Sequence, residues 1–179
     1  MPALRTTVLV LWLAFGAYWF IAALSSKRGS RSPRSRLPGL LIVIVFVILR
    51  IVRPGTLAVH PLAVQIVGLV LFLAGLALSV WARIYLGRNW GMPMTRKDEP
   101  ELVTSGPYRF VRHPIYSGLL LAILGTTLAT NLYWLIALAI LGVYFVHSAR
   151  VEERLMTASF PRAYPRYQAT TKMLIPFVL

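Results

Sequence analysis

The strongest constraint on this chain is a series of apolar stretches long enough to cross a bilayer, separated by short basic segments. Thr6 to Leu24 holds nineteen residues without a charge. As a helix, such a stretch spans most of a hydrocarbon core of about 30 Å. A secretory leader is the competing reading, with Arg5 as its basic start and Ala22-Ala23-Leu24-Ser25 near a cleavage point. The apolar part exceeds the usual ~7–15 residues of a leader, so a retained helix is expected. Further spans are expected at Leu37–Val52, at Leu62–Ala82, and in a hairpin of Ile115–Thr130 and Leu132–Val146 that turns at Asn131. Gly68, Ala74, Gly75 and Ala77 suit close helix contact in the third of these. The expected fold class is all-α: an integral membrane protein of about five transmembrane helices, the last two a tight hairpin. The chain reads as one folded unit, with N-terminal helices in 1–82 and a core in 83–179.

The connecting segments set an orientation. With the 25–36 loop inside, the inner segments hold sixteen basic residues: five in 27–36, six in 83–112 and five in 150–172. Only Arg5, Arg50 and Arg53 fall outside. Positive charge collects in cytoplasmic loops. The expectation is an N-terminus outside and a C-terminus in the cytoplasm.

Composition narrows function. The net charge of +14 raises nucleic acid as a partner, but the basic residues sit between apolar runs and not on soluble amphipathic elements, so no nucleic-acid role is expected. Membrane lipids are the natural surroundings of such loops. No cysteine is present, which removes disulfides, thiolate nucleophiles and Cys-ligated metal. There is no H-E-x-x-H, G-x-G-x-x-G or G-x-x-x-x-G-K-[ST], and no metal site is expected.

Chemistry-bearing residues crowd into Gly106–Gly118. His113-Pro114 stands where loop becomes helix, and proline suits a first helical position. A helix start presents free N–H groups and partial positive charge to a carboxylate or phosphate. Arg112 adds full charge, Tyr108 and Tyr116 add aromatic faces and hydroxyls, and Gly118 permits close approach. Taken singly, these residues also suit an interfacial anchor, a cap and an aromatic belt. Glu152 and Glu153 are two of five acids and directly follow an apolar stretch. Carboxylates there need a cationic partner or ligand. A salt-bridge network with Arg150 is the alternative to a ligand site.

The stretch Gly106-Pro107-Tyr108 with Arg112-His113-Pro114, Tyr116 and Gly118 resembles the isoprenylcysteine carboxyl methyltransferase family, which is related to membrane phospholipid methyltransferases. So do Arg150, Glu152 and Glu153, with Met156 where that motif has Leu. Phe160, Tyr164, Tyr167 and Ile175-Pro176 resemble its ending, and Leu86-Gly87-Arg88-Asn89-Trp90 resembles its bacterial members. The likeness covers roughly residues 80–179. Pro161 and Pro165 depart from the usual tail, and Pro165 is expected to interrupt any helix between Tyr164 and Tyr167.

The resemblance implies an enzyme that moves a methyl group from S-adenosyl-L-methionine to a lipophilic membrane-embedded acceptor, with the carboxylate of a prenylated cysteine favoured. Carried over by position, Arg112, His113, Pro114, Tyr116 and Gly118, with Tyr108 and Glu152, are expected at the cofactor. Arg150 and Glu153 are expected at the chemistry, and Asn89, Trp90, Tyr167 and Arg150 at the acceptor. A phospholipid amine or small thiol is an alternative acceptor. A sterol-type reductase using nicotinamide and a non-enzymatic scaffold are alternative classes.

Overall fold

The computed structural model describes residues 2–25, 29–31, 57–91, 93–97 and 99–176. The expected span Leu37–Val52 lies outside the described residues. Five helices are described: α1 Pro2–Ala23, α2 Leu62–Leu86, α3 Pro114–Ala129, α4 Trp134–Ser159 and α5 Ala163–Thr170. The fold is all-α, and the protein is an integral membrane protein. Three of its helical segments, 3–23, 62–89 and 134–159, are long and apolar enough to cross a bilayer. α3, at sixteen residues, is shorter. A ribbon of two three-residue strands, β1 Gly29–Arg31 and β2 Thr95–Lys97, is the one extended pairing of named strands among the described residues. Sequence reading did not anticipate it.

The centre of the bundle is the antiparallel contact of α2 and α3, and it is made by glycine. Gly68 and Gly75 lie two turns apart on α2, and Gly118 and Gly125 two turns apart on α3. A Cβ on Gly75 would stand 2.4 Å from Ala122 N, and one on Gly125 would stand 2.2 Å from Phe72 N. The two backbones therefore touch, an approach only small residues permit. Gly68 and Gly75 meet the expectation of close contact. Ala74 and Ala77 do not, because both are exposed on the outer face of α2.

α1 joins this pair through Val8, which packs with Phe72 and Ala122, and through Trp12, whose Nε1 donates to Thr126 Oγ1 at 3.1 Å. The α3–α4 turn closes as expected at Asn131, whose Oδ1 accepts the Tyr133 N–H at 3.0 Å. Leu57 and Val59 pair with Leu132 and Thr130 at that same end.

Two boundaries differ from expectation. α4 does not stop near Val146. It runs to Ser159, so Arg150, Glu152 and Glu153 share one continuous helix with the apolar span. Pro165 does not break the tail either. It is the third residue of α5, within the first turn, where N–H groups have no intrahelical acceptor and none is lost. Tyr164 and Tyr167 therefore sit on one helix, with ring centroids 5.9 Å apart.

Candidate active site

The C-terminal ends of α1, α2 and α4 meet the N-terminal end of α3 at one end of the bundle. There they enclose a cavity of about 430 Å³, within the ordinary range of small-molecule sites. Its apolar wall includes Trp19, Leu86, Leu119 and Phe145 from four different helices. Its polar end is built from Arg112, His113, Tyr116 and Glu152, with Tyr108, Tyr164 and Tyr167 close by.

Glu152 is the carboxylate at the polar end of the cavity, and Glu101 also lines it. Glu152 Oε1 accepts the Tyr116 hydroxyl at 2.6 Å and the Met94 N–H at 3.0 Å, and its Oε2 lies 3.5 Å from His113 Nδ1. Met94 holds φ +61°, a region a non-glycine residue seldom occupies. Glu153, one residue on, points about 100° around the helix and is not part of the cavity lining. Its Oε1 takes Arg112 Nε at 2.7 Å and lies 3.4 Å from His113 Nε2, and its Oε2 accepts Gln168 Nε2 at 3.0 Å. One glutamate serves the cavity and the other ties α4 to the α3 start and to α5.

Arg112 is spent on structure more than its motif suggests. Beyond Glu153, its Nη1 donates to the Thr171 carbonyl and, at 3.3 Å, to that of Gln168. The tail then runs beside the α3 start. Lys172 O accepts the Arg112 N–H at 2.8 Å, and Met173 O accepts the His113 N–H at 3.0 Å. Ser117 Oγ donates to Leu174 O at 2.5 Å. The tail thus uses the two N–H groups just ahead of the helix start.

His113 lies between the two glutamates and stacks on Tyr116, with centroids 5.5 Å apart and planes at 5°. Tyr116 in turn stacks on Phe145 at 4.6 Å. Burial opposes protonation of His113, but its hydrogen bonds to Glu152 and Glu153 and their charges outweigh that and raise its pKa above 6.5. Burial pushes the Tyr108 and Tyr164 phenols upward. It pushes Tyr167 up to about 12, against the lowering influence of Arg112. All three hydroxyls stay neutral near pH 7 and can donate. Tyr167 donates to Tyr108 O at 2.5 Å, which fixes α5 over the cavity.

The structure brings Arg112, His113, Tyr116, Tyr108, Glu152, Asn89, Trp90 and Tyr167 to the cavity. Glu153 stands behind it. Pro114 is fully buried at the start of α3. Gly118 faces α2, where a Cβ would meet Ser79 Oγ at 2.3 Å, so its small size serves helix contact and not ligand approach. Arg150 is exposed and does not line the cavity. The carry-over had set Arg150 at the acceptor. The uninterrupted helix turns it about 160° away from Glu152, as two residues of a helix must be.

Sequence reasoning missed Trp19, Phe145, Met94 and Gln168. Nothing in the local pattern marks them, because each reaches the site from a distant element. Asn89 Oδ1 is buried at the cavity without a hydrogen-bond partner, although Asn89 Nδ2 donates to Glu101 at 2.8 Å. An unmet acceptor in a lined cavity is what a polar ligand would satisfy. Among the described residues no group of three His, Cys, Asp or Glu side chains is arranged to hold a metal.

The family model for phospholipid methyltransferases matches residues 63–163. The chain belongs to the phospholipid methyltransferase family. The match starts in α2 and ends at the start of α5, so it takes in nearly every cavity element described above. Protein-S-isoprenylcysteine O-methyltransferase B of Arabidopsis thaliana is 32% identical over 115 residues, 62% of this chain and 58% of that protein. A probable protein-S-isoprenylcysteine O-methyltransferase of Oryza sativa subsp. japonica is 30% identical over 119 residues, 64% of this chain and 62% of that protein. The cobalt-zinc-cadmium resistance protein CzcN of Cupriavidus metallidurans is 33% identical over 94 residues, 51% of this chain and 43% of that protein. The chain thus spans less than two thirds of the length of these relatives. The resemblance read from Gly106–Gly118 and Arg150–Glu153 agrees with both the family and the plant relatives.

Proposed function

We propose that this protein is a membrane methyltransferase that uses S-adenosyl-L-methionine and a lipophilic acceptor, of which the carboxylate of a prenylated cysteine is the favoured one. The observation that carries this reading is the continuity of one cavity from a polar end at Glu152 and His113 to an apolar wall drawn from membrane helices.

The residues present fit the cofactor. Glu152 suits its ammonium. The Tyr108 ring suits adenine or, through cation–π attraction, the sulfonium. Asn89 Oδ1 is an acceptor in search of a donor. Bound there, S-adenosyl-L-methionine supplies an electrophilic methyl group. The protein's share is alignment and exclusion of water, for which a largely apolar cavity is suited. A carboxylate acceptor needs no base.

A phospholipid amine is a second reading, favoured by the exposure of Arg150, which leaves the carboxylate acceptor without its assigned partner. An amine must lose a proton, and Glu152 is the carboxylate at the polar end of the cavity. The basic segments 83–112 and 150–172 both lie at the site end. We therefore place that end in the cytoplasm and the N-terminus outside, in a bacterial plasma membrane.

Calorimetric titration of detergent-purified protein with S-adenosylhomocysteine tests the reading, with reduced nicotinamide as control. Saturable binding of the first alone is expected. Glu152→Gln should weaken it about tenfold or more, the usual scale for a lost charge-assisted contact, while the glutamine carbonyl can still accept from Tyr116 and Met94 and keep the fold. Wild-type affinity in that variant would remove Glu152 from the site, and binding of nicotinamide alone would replace the methyltransferase with a reductase.

A further inference from the structure

Arg83 lies on a segment of membrane-crossing length, yet it is 3% exposed. An arginine buried there is costly unless its donors are used. Nη1 donates to Gly87 O and Nη2 to Ala22 O, each at 2.5 Å, while Nε is buried without a hydrogen-bond partner. The guanidinium therefore closes the C-terminal ends of α2 and α1 together, where a cation is favoured by the helix dipoles. It does something else as well. Its Cζ lies 4.9 Å from the centroid of the Trp90 ring. Trp90 meets Trp19 edge-on at 5.7 Å and 88°, and both indoles line the cavity.

We infer that Arg83 is a positioning residue: by stacking on Trp90 it fixes the indole wall along which the apolar part of the acceptor lies. This rests on the reading of the cavity as a site for a lipophilic acceptor. Arg83 does not itself line the cavity, so it acts through Trp90. The geometry separates this role from simple capping. Two carbonyl bonds would be met by any long cation, but only a planar guanidinium offers a flat face to an indole. Trp90 stands with Trp19 and Leu86, which come from membrane helices, so the wall it forms is that of the membrane-derived ligand.

The test compares Arg83→Lys, Trp90→Phe and the double variant in full-length protein. The probes are S-farnesylated N-acetylcysteine as acceptor and S-adenosylhomocysteine for the cofactor side. Arg83→Lys should raise KM for the acceptor about five- to tenfold, between the scales of an exposed and a fully desolvated cation–π contact. It should leave kcat within about twofold and S-adenosylhomocysteine affinity unchanged. Trp90→Phe should do the same, and the double variant should add nothing further. Acrylamide quenching of tryptophan emission should rise in Arg83→Lys, and that rise should vanish in the Trp90→Phe background, where four tryptophans remain of the native five. Additive effects in the double variant, or parallel loss of S-adenosylhomocysteine binding, would overturn the inference. If the wild-type protein methylates no such acceptor, the acceptor reading fails by itself. The quenching comparison still decides the link from Arg83 to Trp90, and absence of a Trp90-dependent rise would refute it.

Discussion

α3 is held at two places by opposite means. Along its length it meets α2 through Gly118 and Gly125, with backbone against backbone and no charge involved. At its start it is held by Arg112 and His113 against Glu152, Glu153 and the tail carbonyls, in a cluster made of charge and hydrogen bonds. The seam tolerates no added atom, because a bilayer offers no hydrophobic drive between helices and close fit must supply the attraction. The polar cluster tolerates small shifts but no lost partner, because each buried charge depends on another. The cavity lies beside the second region. The first region is what keeps that end of α3 in register.

The largest effect is expected from the polar cluster. Glu153→Ala leaves the Arg112 guanidinium and the His113 ring facing an empty position, and removing one partner of a buried pair costs about 3–5 kcal/mol. Thermal unfolding in detergent should show it, and a loss under about 1 kcal/mol would mean that the tail carbonyls alone hold Arg112. Gly125→Ala should cost somewhat less, about 1–3 kcal/mol, as helices separate to admit one methyl group. That loss should be the same at pH 6 and pH 9. A pH-dependent loss would break the distinction between the two regions, since no titratable group is part of the contact.

The smallest effect concerns pH. His113 has a folded pKa above its ordinary value of 6.5. Its charged form is therefore favoured by folding, and the stability it contributes is full below about 6.5. That stability is lost as pH rises through the raised value. The melting temperature of the wild type should fall across that window, and His113→Asn should flatten the slope. A wild-type stability that rises across the same window would reverse the assigned charge balance.

The motif resemblance and the geometry differ on one residue. The R-x-E-E pattern set Arg150 with the glutamates, yet α4 points Arg150 outward and Glu152 inward. A motif in one dimension groups residues that a helix distributes around its axis. The same reasoning explains why Glu152 and Glu153, indistinguishable in sequence, divide into a cavity residue and a structural one.

Much of this protein was decided by sequence alone. Apolar stretches without charge can only be satisfied as helices in a bilayer, because every backbone group must find its partner internally. Hence the all-α membrane fold, the α3–α4 hairpin at Asn131, and the crowding of polar side chains in Gly106–Gly118 and at the glutamates were legible without coordinates. Only the tertiary structure decided which residues share a cavity. Trp19 and Phe145 reach it from elements far apart in the chain, the tail claims the N–H groups of Arg112 and His113, and Arg83 braces Trp90 across two helix ends. These contacts depend on how closely α2 and α3 approach and on the rotation of each helix about its axis. Residue spacing along one helix carries no information about the face that a distant segment will meet.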